Sequence, residues 1–150
     1  MPSSSTAEIW ETLAAEAAAE SPLWGDALRA DPERVTVFSP LAPDRFALAL
    51  ETIYEGYLVH YGRPRLFDPP GAEEAILLGD YLYAHGLVRV ADTGELDAVA
   101  ALSELISTCA HLRAEGAAGD GEAWLETCAR LGGDAAGAPA ALAAHADRFR

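Results

Sequence analysis

Apolar residues recur along most of this chain at intervals of three and four, the period that lines one face of an α-helix. Ser5, followed three positions later by Glu8, has capping-box spacing and opens a helix to about Glu20, with Ile9, Leu13 and Ala17 on one face and Trp10 beside them. Ser21-Pro22 restarts a short helix with proline at its first position, carrying Leu23, Trp24 and Leu28 and stopping near Asp31-Pro32. Only 33–42 has strand-like character. Its run Val35-Thr36-Val37-Phe38 is too short and isolated to support a sheet, so it reads as an extended connector laying Val35, Val37 or Phe38 over the core.

Three long helices follow. The first spans about 43–61, with Phe46, Leu50, Ile53, Tyr54, Tyr57, Leu58 and Tyr61 at helical spacing; Leu48 and Val59 add apolar positions around much of its circumference. A loop rich in proline and glycine, 62–71, separates it from a second helix over about 72–91, and the turn 92–95 leads to a third over about 96–115. A shorter helix covers about 122–131, and an alanine-rich helix starts near Pro139. The pattern predicts one all-α domain over 1–150, a bundle of three central helices flanked by shorter ones, with 1–4 and 146–150 frayed.

Composition narrows the function. The 150 residues carry 24 acidic and 10 basic side chains, a net charge of -14, which disfavours nucleic acid because phosphate is repelled by such a surface. No apolar run is long enough to span a membrane, and the N-terminal residues lack the basic start and apolar stretch of a signal peptide, so the expected location is the cytoplasm. Lys, Asn and Gln are absent, which removes Schiff-base and P-loop chemistry. Cys109 and Cys128 read as small buried hydrophobes with free thiols. Together with His111 and His145 they match no standard zinc-ligand spacing, so neither metal nor cofactor is expected.

Two segments carry a family likeness. One helix ends Leu58-Val59-His60-Tyr61-Gly62-Arg63-Pro64-Arg65, and the next reads Ala75-Ile76-Leu77-Leu78-Gly79-Asp80-Tyr81-Leu82. From Leu50 to Gly116 the chain resembles part of the trans-polyprenyl diphosphate synthase family, in which a helix ends in a Leu-Ile-His-Asp-Asp-type motif and the next opens with Ala-Ile-Leu-x-Gly-Asp-Tyr-Leu. In that family the aspartates after the histidine hold magnesium for the allylic diphosphate. Here those positions are Tyr61, Gly62 and Arg65, and no Asp-Asp-x-x-Asp follows. The resemblance therefore implies a shortened, non-catalytic relative, similar to the small regulatory subunit that partners a catalytic chain in two-component synthases.

The residues left for binding are Tyr57, His60 and Tyr61 at a helix end, Arg63, Arg65 and Phe67 in the loop, and Asp80 in the second long helix. The Arg-x-Arg loop suits a phosphate or a partner's carboxylates, and Phe67 beside it suits an interface. His60 reads first as a helix-end cap, with a site histidine facing a pocket as the other reading. Gly79 points to a close helix contact, with Asp80 as a buried, hydrogen-bonded carboxylate. The function expected is a non-catalytic helical subunit or adaptor, pairing with a catalytic prenyl synthase chain or with itself. The alternatives are a module binding a small apolar ligand between tyrosine-rich helices, and a self-assembling structural protein.

Overall fold

Helices form where the apolar period predicts them. The computed structural model describes residues 2–150, with side chains from Thr6 onward. Among these residues there are seven α-helices: α1 (Pro2–Glu20), α2 (Pro22–Asp26), α3 (Ala47–Tyr61), α4 (Ala72–Ala91), α5 (Leu96–Glu115), α6 (Asp120–Arg130) and α7 (Ala138–Asp147). Two 3-10 turns, Ser39–Leu41 and Asp44–Phe46, lead into α3, and no strand forms. None of the described helices is long and apolar enough to cross a membrane. The first helix starts ahead of Ser5. The Ser5 side chain that would close the capping box, and Met1, lie outside the described residues. At α2 the Ser21 hydroxyl accepts the Leu23 N–H, as its place before Pro22 requires.

The axis of the bundle is α3. Every residue from Ala49 to Val59 is buried, including Glu51 and Glu55, because α1, α4 and the 3-10 turns all pack on it. The fit against α4 depends on glycine: a Cβ at Gly79 would stand 2.1 Å from the His60 ring, and one at Gly86 would stand 2.5 Å from Ile53 Cγ1. A helical glycine costs about 1 kcal/mol relative to alanine, and the close approach is what it makes possible here.

Two apolar clusters result. One gathers Trp10, Leu13 and Ala17 of α1, Trp24, Val59, Leu78 and Leu82. The other joins Phe38, Leu50, Ile53 and Tyr54 to Leu102, Leu105 and Cys109 of α5 and to Trp124 and Cys128 of α6. The connector does lay Phe38 on the core, stacked on Trp124 at 5.3 Å between centroids, with Val37 buried beside it. Val35 instead faces solvent, so the segment does not follow a strand's alternation, in which Val35 and Val37 would share a side.

The C-terminal residues, expected to fray, pack against the 62–71 loop. Arg148 is buried and donates to the carbonyls of Arg63 and Pro64 and to Glu33, while Arg63 N–H donates to the Arg148 carbonyl. These bonds tie the end of the chain to the 62–71 loop and satisfy carbonyls that no helix could pair.

Candidate functional site

Two polar networks occupy the interior, and both start on α3. In the first, Glu51 and Glu55 lie one turn apart, on a face that packing has sealed from water. Arg65 reaches back between them from the loop and is fully buried. Its Nε donates to Glu55 Oε1 at 3.0 Å, and its Nη1 donates to Glu51 Oε1 and to the Val35 carbonyl. Glu55 also accepts the backbone N–H groups of Arg65, Leu66 and Phe67, at 3.1, 2.8 and 3.2 Å. The guanidinium is sandwiched between the Trp10 and Tyr54 rings, at 4.6 and 4.9 Å from their centroids. Burial works against the charge on Arg65, but the two carboxylates outweigh it and raise its pKa.

The second network centres on Asp120, in the first turn of α6. Its Oδ2 accepts from the Tyr57 hydroxyl at 2.7 Å, Arg113 Nη2 at 2.7 Å and His145 Nε2 at 2.9 Å. Because a carboxylate only accepts, the Nε2 of His145 carries a proton; its Nδ1 pairs with the Tyr54 hydroxyl at 2.7 Å. Arg113 Nε closes the ring on the Tyr57 oxygen. Burial pushes the Asp120 carboxyl up, yet the hydrogen bonds from His145 and Tyr57 and the Arg113 charge hold it well below the usual carboxylate range. Burial raises the Tyr54 and Tyr57 phenols far above theirs. The network fastens α3, α5, α6 and α7 together. A hydroxyl, an imidazole and a carboxylate in series have the order of a proton relay, but Tyr54 is enclosed on all sides, so no substrate atom can reach it.

The residues singled out from the sequence are therefore not brought together at one surface. Arg65 and Phe67 are fully buried and Leu66 nearly so; the loop expected to grip a phosphate or a partner turns its side chains inward, drawn by the Glu55 carboxylate. Arg63 is half-exposed, donating to the Asp147 carbonyl at 3.1 Å and lying 3.4 Å from its carboxylate. Tyr57 is buried in the Asp120 network. His60 packs on Gly79 and bonds to the Ile76 carbonyl at 3.0 Å, bridging to α4 where capping of its own helix was the alternative. Tyr61 is 39% exposed. Asp80 is the clearest correction: its side chain is 65% exposed, and its one ion-pair contact is His60 at 3.4 Å. Gly79 makes the predicted close contact, but the next residue of the helix is rotated by about 100° and faces out.

Sequence reasoning missed Glu51, Glu55, Asp120 and Arg148. A signal existed for the first two: carboxylates one turn apart on a helix apolar around the rest of its circumference cannot both be solvated. Asp120 and Arg148 carried no comparable local pattern. Cys109, His111, Cys128 and His145 do not form a metal site; no cluster able to hold a metal ion occurs among the described residues.

What the interior does not use is the outer face of α4. Leu77, Tyr81, Ala84, Val88 and Ala91 succeed one another at intervals of four, three, four and three. Leu77 is 57% and Val88 58% exposed, Ala84 and Ala91 are exposed, and Tyr81 stacks on Trp24 and His85. Ile76, 58% exposed, flanks the row. The opposite face of the same helix, Leu78, Leu82, Gly86 and Val90, is buried against the bundle. No family model matches this chain, and neither a curated protein nor a solved structure does. The likeness to the polyprenyl synthase pattern thus rests on the sequence of 58–65 and 75–82 alone.

Proposed function

We propose that this chain is a non-catalytic helical subunit that works by pairing with another protein chain through the outer face of α4. The observation that carries this reading is a helix apolar on both faces. An ordinary surface helix has one apolar stripe, and a helix apolar all round is a buried one. The 4-3-4-3 spacing of Leu77, Tyr81, Ala84, Val88 and Ala91 is the seam by which one helix packs on another. Glu73, Asp80 and Asp92 of this stretch are exposed carboxylates, while Arg89 of the same helix is already paired with Glu16 of α1. A second copy would bring a further -14 and set like charges against each other, so the geometry favours a different chain whose apolar helix is rimmed by basic residues. The Glu51, Glu55, Arg65 and Asp120 side chains, by contrast, are held in the two interior networks. In its most specific form, supported only by the resemblance within Leu50–Gly116, the partner is a catalytic trans-polyprenyl diphosphate synthase.

The experiment is affinity capture from the native host with the wild-type chain and with the double variant Leu77→Glu/Val88→Glu, alongside sedimentation of both proteins alone. Each buried Leu or Val contributes about 1.5–3 kcal/mol, so the double variant loses a stoichiometric partner while its helical circular dichroism stays unchanged. A partner with intact aspartate-rich motifs supports the specific form. A partner retained equally by the variant, or none, overturns the reading. A wild-type dimer abolished by the variant redirects it to self-assembly.

A further inference from the structure

A groove of about 600 Å³ lies where α1 passes the two 3-10 turns and the start of α3, and no residue of α4 lines it. That size falls within the range of small-molecule sites. Its polar lining is unusual for being unused. Ser39 is 5% exposed, yet its hydroxyl makes no hydrogen bond to any described residue. The fully enclosed unpartnered polar atoms of the described residues are the Trp10 and Trp124 indole nitrogens and Arg89 Nε. The Ser39 hydroxyl is not among them, and so it opens into the groove. The Thr12 and Thr36 hydroxyls, on opposite walls, are also unpartnered. So are the carboxylates of Glu8 on α1 and Asp44 at the second turn, neither of which has an ion-pair partner among the described residues. Ile9 and Leu48 supply apolar lining, and among the described residues no cationic side chain lines the space.

We infer that this groove binds a small organic ammonium ion. An alkylammonium has only donors and carries positive charge, while the free groups here are acceptors or can act as acceptors, two of them anionic. The Ser39 hydroxyl, which has no partner among the described residues, is left to accept from a donor that enters the groove. An anion would meet two carboxylates and, among the described lining residues, no cation. A calcium ion needs six to eight oxygens in one shell, and an apolar floor with two carboxylates does not suit it. The alkyl body of an amine covers Ile9 and Leu48, so both halves of the lining are used.

The test is titration of the isotopically labelled full-length chain with cadaverine, followed by amide NMR, with n-pentanol and calcium chloride as separate arms. Saturable shifts confined to the residues of α1 and the 36–48 segment are expected for cadaverine. Ser39→Ala and Asp44→Asn should each weaken binding about tenfold, the scale of one hydrogen bond to a charged group. Both are expected to fold, since neither side chain has a hydrogen-bond or ion-pair partner to lose. Glu126→Gln, an exposed carboxylate outside the groove, should bind as the wild type does. The inference is overturned by equal binding of n-pentanol, by calcium competing for the site, by equal weakening in the Glu126 variant, or by no saturable shift at millimolar amine.

Discussion

Replacing Arg65 with Met leaves the volume of the side chain largely filled and removes the only cation that, among the described residues, pairs with the two sealed carboxylates. Glu51 and Glu55 are 1% and 0% exposed, and the guanidinium nitrogens touch both. At an effective dielectric of 20, a unit pair about 4 Å apart gains about 4 kcal/mol, most of which offsets the desolvation of the charges. The variant keeps the desolvation and loses the attraction, so the expected cost is about 3–5 kcal/mol. Domains of this size have about 5–15 kcal/mol in all, so Arg65→Met should lower the melting temperature by about 10 °C or more. A further signature separates this cause from a packing defect. The double variant Arg65→Met/Glu51→Met should recover much of the loss, since an apolar replacement of the pair needs no partner. Urea melts of the wild type and the two variants check this. A deficit of about 1 kcal/mol or less in Arg65→Met, or no recovery in the double variant, would refute the reasoning.

Other consequences follow from the same contacts. Asp120→Asn should cost about 2–3 kcal/mol at neutral pH. Because the Asp120 carboxyl is depressed in the folded protein, its contribution is complete above the ordinary value of 3.8 and is lost as pH falls below it. Acid melts should therefore be steeper for the wild type than for the variant, and parallel curves would count against this assignment. Gly79→Ala gains helix propensity but drives a Cβ into the His60 ring, so it should destabilise by about 1–3 kcal/mol. A double-mutant cycle with His60→Ala should recover most of that, and additive costs would sink the account. Burial pushes the Cys109 and Cys128 thiols up to about 12, so neither should react with a thiol reagent at pH 8 until the chain unfolds. Modification faster than unfolding would disagree.

The limits of α4 and α5 were legible in the sequence, because a 3.6-residue period and a glycine-containing turn are local properties. The close contact at Gly79 was legible too, since a glycine inside an apolar helix has few other uses. The fate of the 62–71 loop was not. Arg63, Arg65 and Phe67 look like an exposed, basic, interface-forming loop from composition alone, and only the Glu55 carboxylate, ten residues before Arg65, turns that loop inward. Asp80 shows the same limit at finer scale: its neighbour is buried and it is not, because which side of a helix meets α3 is set by packing. The Asp120 network joins residues as far apart as Tyr54 and His145, and no window of the sequence holds both. The sequence by itself determined the helices, their order and the apolar volume available to bury. The tertiary structure decided which charges that volume enclosed and which apolar face of α4 it left uncovered, because charge pairing and burial depend on distances that only the assembled bundle defines.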